Sequence, residues 1–199
     1  KTGVFHNIVN QETIRKRAME EGGFADGYDG MRLLTVGRLT WQKAYDVAVE
    51  AMKLLKEAGC NVRWYVLGEG DQRRQLEKKI AALGLGEDFV LLGAAENPFP
   101  YYRQTDLYIH ATRYEGKSIA IQEAQTLGCA VIASDCNGNR EQITDGRDGI
   151  LCELTPKAIA DSIIRLLKDE KLQKELGRRA AEKSTMQDQE LQMLLKLLV

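Results

Sequence analysis

Arg38 and Lys43 stand in the stretch Gly37-Arg38-Leu39-Thr40-Trp41-Gln42-Lys43, between an apolar run and a helical pattern. A guanidinium offers a planar fork and an ammonium a point charge, a pair suited to a diphosphate. Taken alone, both read more readily as solvated surface cations. A second segment, Arg113-Tyr114-Glu115-Gly116-Lys117-Ser118-Ile119-Ala120-Ile121-Gln122-Glu123-Ala124, follows another apolar run and opens a helix. Gly116 permits a sharp turn there, and the amides of Lys117, Ser118 and Ile119 are expected to face outward at the helix N-terminus, where anions bind. With a helix from near Ser118, Glu115 and Glu123 lie no more than ~12 Å apart. That span suits the two ends of an extended sugar nucleotide, one carboxylate taking sugar hydroxyls and the other a ribose, with phosphates between them. The same spacing also arises on exposed helices that bind nothing. Glu123 sits among Ile119, Ala120, Ala124 and Leu127 in the sequence, so it should be shielded and need a partner.

The remaining polar motifs are weaker. Gly68-Glu69-Gly70 supplies the first two glycines of a dinucleotide turn, but Arg73 occupies the third position, which argues against a nicotinamide oxidoreductase. Gly68 and Gly70 serve either a tight turn or a close approach of backbone to a nucleotide. His6 and His110 are the only histidines, and neither is placed as a general base; His110 is expected to end a strand near the cleft. Cys60, Cys129, Cys136 and Cys152 form no C-x-x-C pair and have no histidine at ligand spacing, so neither zinc nor a disulfide framework is expected. No cluster of acids suits magnesium, and no metal or cofactor is expected.

These residues must be positioned by a sheet. From Met31 onward, short apolar runs alternate with helical patterns, as parallel strands joined by crossover helices require. Strands are predicted at Met31–Val36, Val62–Leu67, Phe89–Leu92, Asp106–His110, Ala130–Ala133 and Ile150–Leu151. Helices are predicted at Gln42–Ala58, Asp71–Leu83, Tyr101–Gln104, Ile119–Leu127, Ala158–Leu167, Lys171–Glu182 and Gln189–Leu198. The expected fold is α/β, a Rossmann-like open parallel sheet with helices on both faces, whose ligands lie beyond the carboxyl ends of the strands. The 199 residues suffice for one such domain. The division expected is an interdomain segment and connector over 1–30, a nucleotide-sugar-binding domain over 31–185 and a tail helix over 186–199. The acidic, glycine-rich stretch Glu20–Gly30 is expected to be mobile. Charge is balanced, 28 Lys and Arg against 29 Asp and Glu, which argues against a non-specific nucleic-acid binder. No apolar run spans a membrane and the first residues lack a signal-peptide core, so a cytoplasmic location is expected.

The loops Gly37–Lys43 and Glu115–Glu123, with GCAVIAS and EQITDGRDGIL after them, resemble the retaining glycosyltransferases of the group 1 type. The resemblance runs from about Arg32 to Ser184, with a weaker match over Val4–Asn10. It implies one half, the C-terminal donor-binding half, of a GT-B architecture of two facing Rossmann-like domains. It further implies transfer of a sugar from a nucleoside diphosphate sugar to an acceptor hydroxyl with retained anomeric configuration, without a metal. By position, Arg38 and Lys43 match the pair on the donor diphosphate, Glu115 the carboxylate beside the transferred sugar and Glu123 the one on the ribose. Gly116 to Ser118 match the phosphate-cradling turn, and Gly93 to Glu96, with Ala95 and Glu96 the nearest, fall where the base-contacting loop lies. Two positions depart from the pattern: Ala44 replaces the usual glycine after the loop lysine, and Lys117-Ser118 replaces an aromatic-glycine pair. EGKSIAIQEA and ENPFPYYRQTDLYI resemble the branch that builds bacterial surface polysaccharides.

On this resemblance the acceptor-binding N-terminal domain is a missing partner, the full enzyme would sit cytoplasmic or peripheral to the inner face of a membrane, and this chain alone would turn over little. Leu191, Leu194, Leu195 and Leu198 form an apolar stripe for core packing, for crossing to the missing domain or for a homodimer of the fragment. Competing readings are a sugar-nucleotide epimerase or a phosphorylase of the same architecture, and a non-catalytic nucleotide-binding or interaction module.

Overall fold

Strands buried on both faces read as continuous apolar runs, and Leu107–His110 and Ala130–Ser134 are of that kind, every residue buried. A computed structural model of the chain describes the backbone of residues 9–197 and the side chains of residues 9–186. The strands are β1 (Met31–Val36), β2 (Val62–Leu67), β3 (Phe89–Gly93), β4 (Leu107–His110), β5 (Ala130–Ser134) and β6 (Ile150–Cys152). They pair in the order β3-β2-β1-β4-β5-β6, all parallel. The helices are α1 (Gln11–Arg17), α2 (Tyr45–Glu57), α3 (Arg73–Ala82), α4 (Phe99–Arg103), α5 (Ile119–Thr126), α6 (Asn137–Arg140), α7 (Pro156–Lys168) and α8 (Glu170–Leu197).

Alternation along each strand divides the core in two. Leu33, Trp64, Ile109 and Ile132 face α2, α3 and α7, while Leu34, Tyr65, Tyr108 and Val131 face α1, α4 and α5. Strand β1 feeds α2 on one face and its neighbour β4 feeds α5 on the other. The chain thus leaves the sheet in opposite directions at β1 and β4, opening a crevice at their carboxyl ends. Both charged segments singled out in the sequence begin there.

The structure departs from the predicted elements at four places. The helix expected from Gln42 is split into a 3-10 turn at Trp41–Lys43 and α2, because Ala44 adopts a left-handed conformation at φ 48°. This is the position where the resemblance expects glycine, which enters that region without strain. The two expected tail helices are one, since α8 runs unbroken through the boundary drawn at 185 and 186. Helix α6 is an addition. The Glu20–Gly30 stretch is anchored rather than mobile: Asp26 pairs with Arg63 at 2.8 Å and Arg32 at 3.3 Å, and the Phe24 ring lies 4.3 Å from Tyr65. Gln104 bonds the backbone of Gly22 and Phe24 at 2.9 Å each. His6 lies outside the described residues, as do the side chains of the Leu191, Leu194, Leu195 and Leu198 stripe.

Helix α1 packs against α4 and α5. Its Gln11 donates to the Ser184 carbonyl at 2.6 Å and to the Ser184 hydroxyl at 2.8 Å, joining the first described helix to α8.

Candidate functional site

The crevice is built from two loops clasped together. In the β1–α2 loop, the Gln42 side chain donates to the Tyr114 carbonyl at 2.9 Å, and the Gln42 carbonyl accepts from the Arg113 amide at 2.8 Å. Arg113 reaches back with both terminal nitrogens to Asp46, at 3.0 and 2.7 Å, and its guanidinium stacks 4.4 Å from the Trp41 ring centroid. The Thr112 hydroxyl donates to the Gln42 and Tyr114 carbonyls at 3.0 and 2.9 Å. Backbone at the ends of two different strands is thereby fixed by bidentate and backbone-directed bonds, which hold geometry better than surface ion pairs.

Within that clasp the structure brings Lys43 and Glu115 together: the Lys43 ammonium pairs with Glu115 Oε2, and both side chains are mostly covered. His110 Nε2 lies 3.2 Å from the same oxygen. These two partners outweigh partial burial and hold the Glu115 carboxyl down at about 2, the His110 bond acting most strongly. His110 itself is pushed below the usual imidazole range, by burial first and by the Lys43 charge as well. Arg38 is exposed on the same loop and pairs with no carboxylate among the described residues.

Glu123 lies in α5, with Tyr102 as its partner: the phenol donates to Glu123 Oε2 at 3.0 Å. The sequence required such a partner without naming it. Burial raises the Glu123 carboxyl above its ordinary value. Rings in file connect the two acids beneath the crevice, with Tyr102 and Tyr108 centroids 5.2 Å apart and Tyr108 and His110 centroids 6.1 Å apart.

The turn before α5 differs in one donor from the expected cradle. The Ser118 amide is taken by Gln142 Oε1 at 2.6 Å, and Gln142 Nε2 returns a bond to the Ser118 carbonyl at 2.9 Å. Ser118 is therefore a buried clamp point and not an open anion donor. The amides of Gly116, Lys117 and Ile119 have no acceptor among the described residues.

Gly68 and Gly70 lie against the β1–α2 loop. A Cβ on Gly68 would stand 1.9 Å from the Gly37 carbonyl oxygen, and one on Gly70 would stand 2.3 Å from that of Leu39. Their missing side chains admit the backbone of the β1–α2 loop, so the close approach they permit is to Arg38's own loop. Ala95 and Glu96 leave the carboxyl end of β3, two strands away from β1, with Ala95 partly covered and the Glu96 carbonyl held by Arg17 at 3.1 Å.

Sequence reasoning missed the support behind the turn. A Cβ on Gly138 in α6 would meet the Gly116 oxygen at 1.8 Å and the Glu115 oxygen at 2.3 Å. Asn139 donates to the Ser134 carbonyl at 2.8 Å, and the Ser134 hydroxyl accepts from the Thr112 amide at 2.9 Å and donates to the Thr112 carbonyl at 2.7 Å. The only available signal was that Ser134 to Gln142 follow the carboxyl end of β5, on the ligand side of a parallel sheet.

Chemically, the arrangement offers two cations and three open amides to an anion, an ionised acceptor at Glu115 and a shielded carboxyl at Glu123. Comparison with known proteins gives these positions a context. A family model described as glycosyl transferases group 1 matches residues 28–183. A Campylobacter jejuni relative, an N-acetylgalactosamine-N,N'-diacetylbacillosaminyl-diphospho-undecaprenol 4-alpha-N-acetylgalactosaminyltransferase, is 30% identical over 176 residues, covering 87% of this chain and 46% of the relative. The solved C-terminal domain of a Francisella tularensis glycosyl transferase group 1 family protein superposes with a TM-score of 0.70 at 28% identity, over 78% of this chain and 85% of that one. Anabaena HepE, solved with UDP-glucose, shares the fold at a TM-score of 0.74 and 21% identity, over 79% of this chain and 44% of that one. The chain spans about half the length of the curated relatives it matches.

Proposed function

Because this chain belongs to the group 1 glycosyl transferases, we propose that its crevice is the nucleoside-diphosphate-sugar site of a two-domain transferase, whose other half supplies the acceptor. The observation that carries this reading is the pairing of Lys43, in the loop after β1 that also carries Arg38, with Glu115 in the turn after β4. The phosphates would lie between the two cations and the amides of Gly116, Lys117 and Ile119, the sugar beside Glu115 and the ribose against Glu123. An ionised Glu115 suits accepting from sugar hydroxyls. Glu123, already bonded to Tyr102, keeps a second oxygen for a ribose.

In the proposed reaction the bond from the anomeric carbon to the diphosphate oxygen breaks, the acceptor hydroxyl oxygen bonds to that carbon with retained configuration, and the hydroxyl proton passes to the departing phosphate. Negative charge grows on the diphosphate, and fixed cations with helix-terminal amides stabilise it as it grows. The Campylobacter relative's acceptor is a diphospho-undecaprenol-linked sugar. This supports a bacterial surface glycan as the product here, made at the inner face of a membrane. No helix among the described residues is long and apolar enough to cross one.

The test is thermal shift of this chain against UDP, GDP, ADP and dTDP at millimolar concentration. One of them is expected to raise Tm, with Arg38→Ala and Glu123→Ala each abolishing the shift. A flat response from the unaltered chain to every nucleotide removes the reading. Joining the acceptor-binding domain and assaying transfer, with Glu115→Ala as control, separates an enzyme from a binding module.

A further inference from the structure

His110 closes β4 and is 1% exposed. Its Nε2 lies 3.2 Å from Glu115 Oε2, the oxygen that also holds the Lys43 ammonium. Its Nδ1 lies 3.3 Å from the Tyr108 hydroxyl, which is itself 3.4 Å from the Val36 carbonyl. An ionised carboxylate only accepts, so Nε2 carries the proton; the neutral ring then leaves Nδ1 as an acceptor for Tyr108. An imidazole at this depth in a strand loses water on all sides, and these two bonds are what offset that loss. One carboxylate oxygen therefore has two donors of different character, a ring locked into the sheet and a flexible chain from the crevice rim.

A diphosphate that recruits Lys43 competes for it with Glu115, the one partner that ammonium has among the described residues. We propose that His110 is a positioning residue of the donor site, holding the Glu115 carboxylate in place once Lys43 is drawn toward the donor phosphates. This role presupposes the donor site proposed above. Without His110, departure of Lys43 would leave a mostly covered carboxylate with neither donor, and nucleotide binding would bear that cost.

The affinity of this chain for whichever of UDP, GDP, ADP and dTDP gives the largest thermal shift tests the role by titration calorimetry. His110→Leu removes both bonds, His110→Asn keeps a group facing Tyr108 but is too short to reach Glu115, and His110→Gln retains an N–H of suitable reach. The Leu and Asn variants are expected to bind roughly tenfold more weakly, and the Gln variant to stay within about threefold of the parent. In a Glu115→Gln background the same Leu or Asn change is expected to cost less than about twofold, since its effect runs through that carboxylate. The Asn variant answers the question if the Leu variant does not fold. An equal loss in both backgrounds, a Gln variant as weak as the others, or no loss at all overturns the role of His110 while the donor site stands. Failure of the parent chain to bind any of the four overturns the donor site and this role with it.

Discussion

Two charged clusters sit at opposite ends of the sheet, and they are finished differently. Around Asp26, near the amino end of β2, Arg63, Arg32 and the Tyr65 hydroxyl all converge on one carboxylate, and the Tyr28 ring covers the Arg63 guanidinium at 4.3 Å. Burial would raise that carboxyl, but bonds from Tyr65, Tyr28, Arg63 and Arg32 hold it well below the ordinary range. Around Glu115, at the carboxyl end of β4, the pairing is just as close, yet Arg38 and the amides of Gly116, Lys117 and Ile119 on the two loops at that edge find no acceptor among the described residues. The first cluster closes on itself and staples the 20–30 segment to the sheet. The second leaves donors of one sign without acceptors among the described residues at one edge of the sheet. Hydrogen-bonding capacity that the protein itself does not use is what separates a binding site from a structural ion pair.

The largest way to break the contrast is Gly138→Ala. A methyl there overlaps the oxygens of Gly116 and Glu115, so the turn must move. About 3 kcal/mol of stability should be lost, near 10 °C in Tm, together with the nucleotide shift. Denaturant melts and thermal shift read both effects; a variant that keeps full nucleotide response shows that the turn does not depend on α6. Asp26→Ala should do the converse, lowering stability by about 1 kcal/mol through loss of a partly exposed network while leaving nucleotide affinity unchanged, as calorimetry would show. A weakened affinity would mean that the two clusters are coupled.

The smallest effect sharpens the comparison through pH. Glu115 titrates at about 2 in the folded chain against an ordinary 4.5, so its pairing contributes stability that is complete above the ordinary value. That contribution drains away as pH falls from about 4.5 toward 2. Because Glu115 is not fully buried, solvent screening reduces it to about 1 kcal/mol or less. Stability measured from pH 6 to pH 3 should therefore fall less steeply in Glu115→Gln than in the parent, and identical slopes would show that the pairing contributes nothing to folding.

Much of this was legible in the residues because local periodicity carries it. Met31–Val36 and Val62–Leu67 are mostly apolar runs, and they became strands with those same bounds. The split of the first crossover helix at Ala44 was not legible, since alanine is a strong helix former and only the loop's fixed ends force it to φ 48°. Nor was the anchoring of Glu20–Gly30, whose glycines and acids read as a solvated connector until Arg32 and Arg63, from two different strands, are seen to meet Asp26. At the site, residue types made Arg38, Lys43, Glu115 and Glu123 the candidates to grip an anion and its hydroxyls. They did not show that Ser118 gives its amide to Gln142, or that Gly68 and Gly70 make room for the neighbouring loop.

The order of apolar runs and helical patterns by itself determined an open parallel sheet, and with it the edge on which chemistry had to lie, because strand burial and crossover handedness follow from local pattern. Only the tertiary structure decided which charges meet. Lys43 and His110 converge on a single oxygen of Glu115 because β1 and β4, far apart in the chain, are neighbours in the sheet, and pairing across that distance is set by packing rather than by any residue's own preference.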